Sequence, residues 1–257
     1  MPIISTAGLT RTFTGRSGPV EAVRGIDLTV RPGEILGLLG PNGAGKTTTL
    51  RMLTTLLPPT GGAATVAGHD LVKDPAAVRR RIGYVAQSGG LDPQETVRSE
   101  LVLQGRLYGL DRTRATARAE ELAVDLDLTE LLDRPTPALS GGQRRRLDLA
   151  MGLTHRPEIL FLDEPTTGLD PGSRADLWAL VRRLRDEHGT TVVLTTHYLD
   201  EADALADRIV VVDKGTVVAE GSPAALKAAH GAATLQDAFL AITGRVPAPA
   251  DSTPVAV

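Results

Sequence analysis

Gly40-Pro41-Asn42-Gly43-Ala44-Gly45-Lys46-Thr47 is an octapeptide that matches the pattern G-x-x-x-x-G-K-[ST] of a phosphate-binding loop. In such a loop the glycines let the backbone turn its N–H groups inward around an anion. The helix that begins at Lys46 would add roughly half a positive charge at its N-terminus. We expect Lys46 to reach the β- and γ-phosphates of a nucleotide, and the Thr47 hydroxyl to ligate Mg²⁺. Thr48, the next residue, completes the nucleotide-binding set that this stretch predicts.

The octapeptide lies between a strand-like run and a helix-like stretch. Residues 35–39 form a continuous apolar run, which predicts a strand buried on both faces of a parallel sheet, and residues 48–57 have a helical pattern. Similar apolar runs recur at residues 159–162 and 191–194. A glycine-rich turn that holds Lys-Thr by chance is the alternative, and the strand–loop–helix context argues against it. The sequence therefore predicts an α/β fold whose core is a parallel sheet.

Two carboxylates, Asp163 and Glu164, directly follow the apolar run at residues 159–162. Ligands of open parallel sheets bind outside the carboxyl ends of the strands, so we expect both carboxylates to face the phosphate loop. Asp163 would hold the Mg²⁺ shell, and Glu164 would polarise the attacking water as a general base. An exposed acidic turn is the alternative. It is disfavoured because an uncompensated charge at the end of a buried strand is costly.

The rest of the chain divides into stretches of different character. Short β-segments at residues 3–9 and 20–30 predict a small β subdomain before the octapeptide. Residues 90–155, approximately, show charges at helical spacing and no strand-like run, which indicates an inserted helical lobe. Residues 234–243 predict a short amphipathic helix. The Pro/Ala-rich end at residues 247–257 cannot bury a core and is predicted to be disordered.

Composition and charge exclude several classes of function. The net charge of −3 and the pI near 6.0 give no support for general nucleic-acid binding, which usually shows as a strong basic excess. Cysteine is absent, which excludes a disulfide framework, a thiolate metal site and a cysteine nucleophile. No apolar run approaches the roughly 18 to 20 residues that cross a bilayer, and the start lacks the features of a secretory signal. We therefore expect a cytoplasmic protein that acts at a membrane only through a partner.

Several motifs occur in the order typical of one protein family. Residues 139–143, Leu-Ser-Gly-Gly-Gln, precede a helical stretch and resemble the signature motif of the ABC (ATP-binding cassette) ATPases. The resemblance covers about residues 4–225. It implies a P-loop NTPase core with a mostly parallel sheet, an N-terminal antiparallel β subdomain and an inserted α-helical subdomain. The ATPase domain would span residues 1–232, and a short C-terminal helix would follow at residues 233–246.

The resemblance also implies that two copies of the chain work together. In this family the signature motif of one subunit binds the γ-phosphate held in the phosphate loop of the other, as a second helix N-terminus that faces an anion. The implied assembly is a head-to-tail homodimer with two ATP molecules sandwiched between the subunits. Asp170 lies in a segment that resembles the family's D-loop and would contact the opposite subunit. The residues implied to act across the dimer as the signature loop are Ser140, Gly141, Gly142 and Gln143.

Three further residues take their roles from the resemblance. Gln87 falls at the glutamine of the family's Q-loop, where it would touch Mg²⁺ and the attacking water; without the resemblance it would be interpreted as a surface glutamine. His197 matches the switch histidine that contacts the γ-phosphate, whereas the other four histidines lie in polar contexts and are interpreted as surface residues. Phe13 falls at the adenine-stacking aromatic, where stacking is worth roughly 1–3 kcal/mol. A minor core role is the alternative for Phe13.

Within the family, the chain most resembles exporter ATPases of the drug-resistance (daunorubicin-resistance) type, whose partners are ABC-2 membrane subunits. This implies a subunit at the cytoplasmic face of the cell membrane that hydrolyses ATP to export a hydrophobic compound, such as an antibiotic or a lipid. The implied partner is an integral membrane permease, and no nucleic acid is expected. The segments that carry this likeness are residues 67–70, 79–83, 107–110, 197–203 and 234–240. Residues 88–100 would dock a coupling helix of the permease.

Three alternatives share parts of this pattern. A soluble ABC ATPase that acts on nucleic acid or the ribosome generally has two cassettes, coiled-coil insertions or zinc-binding cysteines. This sequence has one cassette, no long heptad run and no cysteine. A non-hydrolytic regulatory cassette is disfavoured by the presence of Glu164 and His197. An importer motor shares every core motif, so only the weaker subfamily likeness separates it from an exporter.

Overall fold

The computed structural model describes residues 1–15 and 18–244 of the chain, so the tail predicted at residues 247–257 lies outside the described residues. The strands are β1 (Ile4–Gly15), β2 (Gly18–Val30), β3 (Ile35–Leu39), β4 (Gly61–Val66), β5 (His69–Asp70), β6 (Ile82–Val85), β7 (Ile159–Asp163), β8 (Thr191–Thr196), β9 (Arg208–Asp213) and β10 (Thr216–Gly221). The α-helices are α1 (Lys46–Leu53), α2 (Pro75–Arg81), α3 (Val97–Leu107), α4 (Arg112–Asp125), α5 (Gly141–Leu153), α6 (Pro171–His188), α7 (Leu199–Leu205), α8 (Pro223–Ala229) and α9 (Leu235–Thr243).

The central sheet contains six strands in the order β10-β9-β3-β8-β7-β6. All neighbouring pairs are parallel except β10, which pairs with β9 antiparallel. Strands β3, β7 and β8 are buried over their whole length, as expected for a parallel sheet that helices cover on both faces. The parallel sheet predicted from the three apolar runs is confirmed.

A second sheet of four antiparallel strands, in the order β2-β1-β4-β5, packs beside the first. Along β2 the buried residues Ile26, Leu28 and Val30 alternate with exposed ones, so one face of this sheet points into the protein. These side chains belong to the same apolar cluster as Leu50 of α1 and Phe161 of β7. Helix α1 is therefore packed between the two sheets, and the loop before it is held from both sides.

Helices α3, α4 and α5 lie between β6 and β7 in the sequence, within the stretch predicted as an inserted helical lobe. Each begins with a polar cap, Thr96, Asp111 or Ser140, whose side chain accepts a hydrogen bond from the backbone N–H three residues on. Their apolar faces share a cluster with β7, β8 and α6. None of the helices among residues 1–15 and 18–244 is long and apolar enough to cross a membrane.

The helix after the octapeptide is shorter than predicted. It ends at Leu53 instead of continuing to residue 57, because Thr55 adopts a left-handed conformation with φ 63°. Leu56 is consequently 58% exposed rather than packed on the core. The two prolines at positions 58 and 59 are the physical reason that a longer helix is unfavourable here, since the residue before a proline is disfavoured in the helical region.

The interpretation of His155 as a surface residue is wrong. Its ring stacks on Tyr108 of α3, with centroids 3.8 Å apart and planes inclined by 6°. Its Nε2 atom lies 2.8 Å from the carbonyl oxygen of Ile82, at the start of β6. Burial lowers the pKa of His155 below its ordinary value. The polar neighbours of His155 in the sequence do not reveal that its side chain turns inward between α3 and β6.

Strand β6 and helix α5 approach so closely that a side chain cannot fit between them. A Cβ atom added at Gly83 would lie 2.2 Å from the carbonyl oxygen of Gly152. We expect Gly83→Ala to lower the free energy of unfolding by about 1–3 kcal/mol, since the backbone must shift to admit the methyl group. This corresponds to a fall of about 2–4 °C in Tm for each kcal/mol, measured by thermal melting.

The matched control for this prediction is Gly90→Ala. A Cβ atom at Gly90 meets nothing within 4 Å, and this glycine does not have a positive φ. Its Tm should be unchanged or slightly higher, because alanine reduces the entropy of the unfolded chain. Equal melting temperatures for the two variants would contradict the close packing of β6 on α5.

Candidate functional site

The glycines of the octapeptide are required by close approaches of the backbone. A Cβ atom at Gly40 would lie 2.2 Å from the carbonyl oxygen of Val212, on β9. Gly45 has φ 105°, which disfavours an L side chain, and a Cβ atom there would lie 2.5 Å from the carbonyl oxygen of Ala22. The loop thus fits tightly between the two sheets, and α1 begins at Lys46 directly after it.

Lys46 is buried at the base of this loop, with only 4% of its surface exposed. Its Nζ atom donates hydrogen bonds to the carbonyl oxygens of Gly40, at 2.8 Å, and Pro41, at 3.1 Å. It also lies 3.8 Å from Oε1 of Glu164. Burial lowers the pKa of Lys46, and the carboxylates of Glu164 and Asp163 oppose that shift. The lysine and the two acidic residues predicted from the sequence are therefore brought together.

Asp163 ends β7 and is 1% exposed. Its Oδ1 atom accepts hydrogen bonds from the hydroxyls of Thr47, at 2.8 Å, and Thr195, at 2.7 Å. The Tyr84 hydroxyl lies 3.5 Å from Oδ2, and burial raises the pKa of Tyr84. The carboxylate thus joins the first turn of α1 to the carboxyl ends of β7 and β8.

Glu164 adopts a left-handed backbone conformation, with φ 46°, which is uncommon for a residue other than glycine. Its N–H donates to both the carbonyl and the hydroxyl oxygen of Thr195, at 3.1 and 3.0 Å. Gln87 Nε2 donates to Glu164 Oε2 at 3.0 Å. His197 Nδ1 lies 3.3 Å from Glu164 Oε1, a close contact that lacks hydrogen-bond geometry. Three predicted site residues, Lys46, Gln87 and His197, therefore surround the carboxylate of a fourth, Glu164.

A cleft of about 420 Å³ opens above these groups. Phe13, Asp170 and the signature residues are not among the described residues that line it. A larger cavity, of about 710 Å³, lies beside the amino-terminal ends of β7 and β8 and contains none of the predicted site residues. The residues lining the smaller cleft are Ala22, Asn42, Gly43, Ala44, Gly45, Lys46, Thr47, Thr48, Gln87 and Glu164. The smaller cleft is therefore the candidate nucleotide-binding cleft.

Of the predicted residues outside the cleft, two are helix N-caps and one is an exposed aromatic residue. Ser140 is the N-cap of α5: its Oγ accepts from the N–H of Gln143, at 3.2 Å, and Gln143 Oε1 accepts from the N–H of Ser140, at 3.0 Å. Asp170 is the N-cap of α6, and its hydrogen bonds with Ser173 lower its pKa. Phe13 is 37% exposed on β1, with the Arg11 guanidinium 4.7 Å from its ring centre, so it does not belong to the core.

Sequence reasoning missed two hydroxyl groups of the site. Thr195 supplies the second donor to Asp163 and also accepts from the N–H of Glu164. Tyr84, on the neighbouring strand β6, lies on the other side of the same carboxylate. The sequence could have indicated both residues, because each is a polar side chain near the carboxyl end of a further buried strand. Ligands of parallel sheets bind at that end.

Comparison with known proteins identifies the family. The family model described as ABC transporter matches residues 23–167, more than half of the chain. This chain belongs to the ABC transporter ATPase family. Members of that family bind and hydrolyse ATP, so this chain is an ABC ATPase whose substrate is ATP.

Among curated relatives of this ABC ATPase is the daunorubicin/doxorubicin resistance ATP-binding protein DrrA of Streptomyces peucetius. It is 51% identical over 233 residues, which are 91% of this chain and 69% of that protein. The Nod factor export ATP-binding protein I of Burkholderia lata is 43% identical over 216 residues, which are 84% of this chain and 71% of that protein. The recognition of the drug-resistance type of ABC ATPase is confirmed.

Solved structures support the same assignment of the fold. A dimeric ATP-binding cassette in a post-hydrolysis state, bound to ADP and Pi, superposes with a TM-score of 0.77 at 27% identity. The match covers 85% of this chain and 98% of that one. The ATP-binding subunit of an ABC transporter superposes with a TM-score of 0.80 at 26% identity, over 94% of this chain and 99% of that one. The fold class predicted from the resemblance is confirmed.

The hydroxyl of Thr195 gives a specific prediction for this ABC ATPase. In Thr195→Val the donor to Asp163 and the acceptor for the N–H of Glu164 are both lost, in a position that is 0% exposed. A hydrogen bond to a charged group contributes about 1.5–3 kcal/mol, so we expect kcat for ATP hydrolysis to fall about tenfold or more. Steady-state release of phosphate measures this.

Thr191→Val, at the other end of β8, is the matched control. Its hydroxyl accepts from the N–H of Gly33 at 3.0 Å and is equally buried. This variant should lose stability while it retains the kcat of the wild type. If Thr195→Val hydrolyses ATP at the wild-type rate, Asp163 does not need the second hydroxyl.

Proposed function

We propose that this ABC ATPase powers the export of a hydrophobic compound through separate membrane subunits of the ABC-2 type. One observation carries the hydrolytic part: the Glu164 carboxylate lies within 3.8 Å of Lys46 and within 3.3 Å of His197, and it accepts a hydrogen bond from Gln87. The export part is supported by the likeness to relatives named for drug resistance and for Nod factor export.

In the proposed reaction each of these side chains has one role. Glu164 accepts the proton of the attacking water as general base, and Gln87 helps to orient that water. Lys46 moves from the loop carbonyls of Gly40 and Pro41 to the β- and γ-phosphates. His197 donates to the γ-phosphate, where negative charge must be stabilised as the bond to the leaving ADP breaks. The loop at Gly40–Thr48 holds the remaining phosphate oxygens through backbone N–H groups, and Phe13 stacks on the adenine.

The residues available for Mg²⁺ fit the requirements of that ion. Asp163 and Thr47 present a carboxylate and a hydroxyl oxygen, joined at 2.8 Å, beside the cleft, and Gln87 adds an amide oxygen. Mg²⁺ prefers hard oxygen ligands, and when it also binds phosphates only a few of those ligands come from the protein. When bound, the ion would neutralise phosphate charge. In the described part of the chain, no cluster of three or more His, Cys, Asp or Glu residues is arranged to hold a metal ion.

The signature loop is proposed to act in a second copy of the chain. Ser140, Gly141 and Gly142 lie at the N-terminus of α5, outside the residues that line the cleft. A helix N-terminus offers N–H groups and a partial positive charge to an anion. In a head-to-tail homodimer this end would cover the γ-phosphate held by the partner, and Asp170 would lie at the interface. The dimeric arrangement of a related cassette supports this assembly.

A groove of about 340 Å³ is the proposed docking site of the membrane subunit. It is lined in part by Ser88, Gly89 and Gly90, which directly follow Gln87. The apolar side chains of Leu56 and Tyr108, 58% and 42% exposed, line it as well. A coupling helix that binds here would reach the cleft through Gln87. By this route the ATPase would work at the cytoplasmic face of the membrane.

If Glu164 is the general base for ATP hydrolysis, its removal should leave the protein in an ATP-bound dimer. In Glu164→Gln the general base is removed while the shape of the side chain is kept, so ATP should remain bound and hold two copies together. We expect light scattering of the ATP-loaded variant to show a dimer mass and the ATP-free variant to show a monomer. A persistent monomer would argue against the sandwich.

The control for this prediction adds a change in the signature loop. Glu164→Gln combined with Ser140→Arg should bind ATP as a monomer, because the added side chain would occupy the place of the partner's γ-phosphate. If the ATP-loaded double variant forms a dimer as readily as Glu164→Gln alone, Ser140 does not face the nucleotide of the partner.

The export proposal is tested by extraction of native membranes with tagged protein, followed by mass identification of what co-purifies. A stoichiometric multi-span membrane subunit would support it, and the sequence class of that subunit distinguishes an ABC-2 exporter from an importer. Recovery with ribosomes, with nucleic acid or without any membrane subunit would overturn the export proposal, while the ATPase assignment would stand.

A further inference from the structure

Helix α5 carries a buried arginine five residues after the signature serine. Arg145 is 6% exposed, whereas Arg144 is exposed and Arg146 is partly exposed on the same helix. Burying a guanidinium group is costly unless its N–H groups find acceptors. The positions of those acceptors therefore indicate what the side chain does.

The acceptors are backbone carbonyl oxygens beside the site. Arg145 Nε donates to Pro165 O at 2.7 Å, and Nη1 donates to Ala86 O at 2.6 Å. Nη2 donates to Asp163 O at 3.5 Å. Pro165 and Asp163 are the two neighbours of Glu164 in the sequence, and Ala86 immediately precedes Gln87. One guanidinium group thus holds the backbone on both sides of Glu164 and next to Gln87.

Arg145 also forms an ion pair within its own helix. Its nearest carboxylate is Asp148, on the same helix, with Oδ2 3.6 Å from Nη1. Burial lowers the pKa of Arg145, and Asp148, Glu201 and Asp163 oppose that shift. The planar fork of arginine can reach three carbonyls that lie in different directions. A lysine, with one compact ammonium group, cannot hold all three in place.

We propose that Arg145 is a positioning residue for ATP hydrolysis, which ties the signature helix to the backbone that aims Glu164 and Gln87. Glu164 has φ 46°, and Thr195 binds its N–H. The hydrogen bonds of Arg145 to the carbonyls of Asp163 and Pro165 restrain the backbone on both sides of the same residue. Because Arg145 and Ser140 belong to one helix, a displacement of the signature loop is transmitted to the general base. This inference rests on the proposed role of Glu164.

The test is the variant Arg145→Lys in the purified full chain. We expect kcat for ATP hydrolysis to fall roughly 10- to 100-fold, since small misplacements of a catalytic group have effects of this size. The KM for ATP and the affinity for a fluorescent ATP analogue should stay within about twofold, because the residues that line the cleft are unchanged. Wild-type kcat in this variant, or a raised KM with kcat retained, would overturn the proposal.

The matched control is Arg146→Lys. Arg146 follows on the same helix, and its guanidinium lies 3.6 Å from Asp127 and 3.2 Å from Asp176, away from the catalytic loops. This variant should keep the wild-type kcat. Arg145→Gln serves as a second variant if Arg145→Lys does not fold, as judged by thermal melting and binding of the analogue. It should show the same split between kcat and KM.

A double-variant comparison separates positioning from a general structural effect. If Arg145 acts through Glu164, adding Arg145→Lys to Glu164→Gln should slow the residual single-turnover hydrolysis by less than about twofold. A further loss as large as that in the wild-type background would overturn the inference. Normal turnover by Glu164→Gln alone would instead refute the proposed general base, so the two failures are distinguishable.

Discussion

The Asp163 carboxylate is the contact on which the site depends. A polar group that is 1% exposed needs hydrogen-bond partners in place of water, and the structure supplies the hydroxyls of Thr47 and Thr195 at 2.8 and 2.7 Å. Thr47 belongs to the first turn of α1, and Thr195 is the register partner of Asp163 in the parallel sheet. The two hydrogen bonds to this carboxylate therefore fix the N-terminus of α1, and with it the phosphate loop, against β7 and β8. The tight fit of Gly40 against β9 fixes the same loop from the other side.

Surrounding contacts hold Glu164, the residue after Asp163, in a backbone conformation that is otherwise unfavourable. A left-handed conformation outside glycine costs of order 1–3 kcal/mol and persists where the surroundings determine it. Around Glu164 those surroundings are Thr195, which binds its N–H, and Arg145, which binds the carbonyls of its neighbours. The result is a carboxylate that faces Lys46, Gln87 and His197 from a turn with little freedom to move.

Sequence reasoning found the parts of the site that have local signatures. The octapeptide, the apolar run before Asp163 and the strand before His197 each show a pattern within a few residues, and the parallel order of their strands follows from the fold class. Arg145 was missed because it stands in a run of three arginines, although it shares a helical face with the buried Leu149 and Gly152. Helix α1 was predicted too long because its apolar pattern continues past Leu53, where the backbone turns away. Such features depend on contacts between distant segments, which no local pattern records.

The proposed homodimer would bring together two helix N-termini that are separate in one chain. Helix α1 begins at the cleft, whereas α5 begins at Ser140, outside the residues that line it. Charge stabilisation is strong only where water is excluded, and a cleft that one subunit leaves open does not meet that condition. A second copy that covers the γ-phosphate with its own α5 would close the site and bring its Arg145-bound loops into the same assembly. ATP can drive such closure only through its higher affinity for the closed dimer, and loss of the bond to the γ-phosphate removes that preference. Chemistry at Glu164 and movement of the helical segment would then be two consequences of one binding equilibrium.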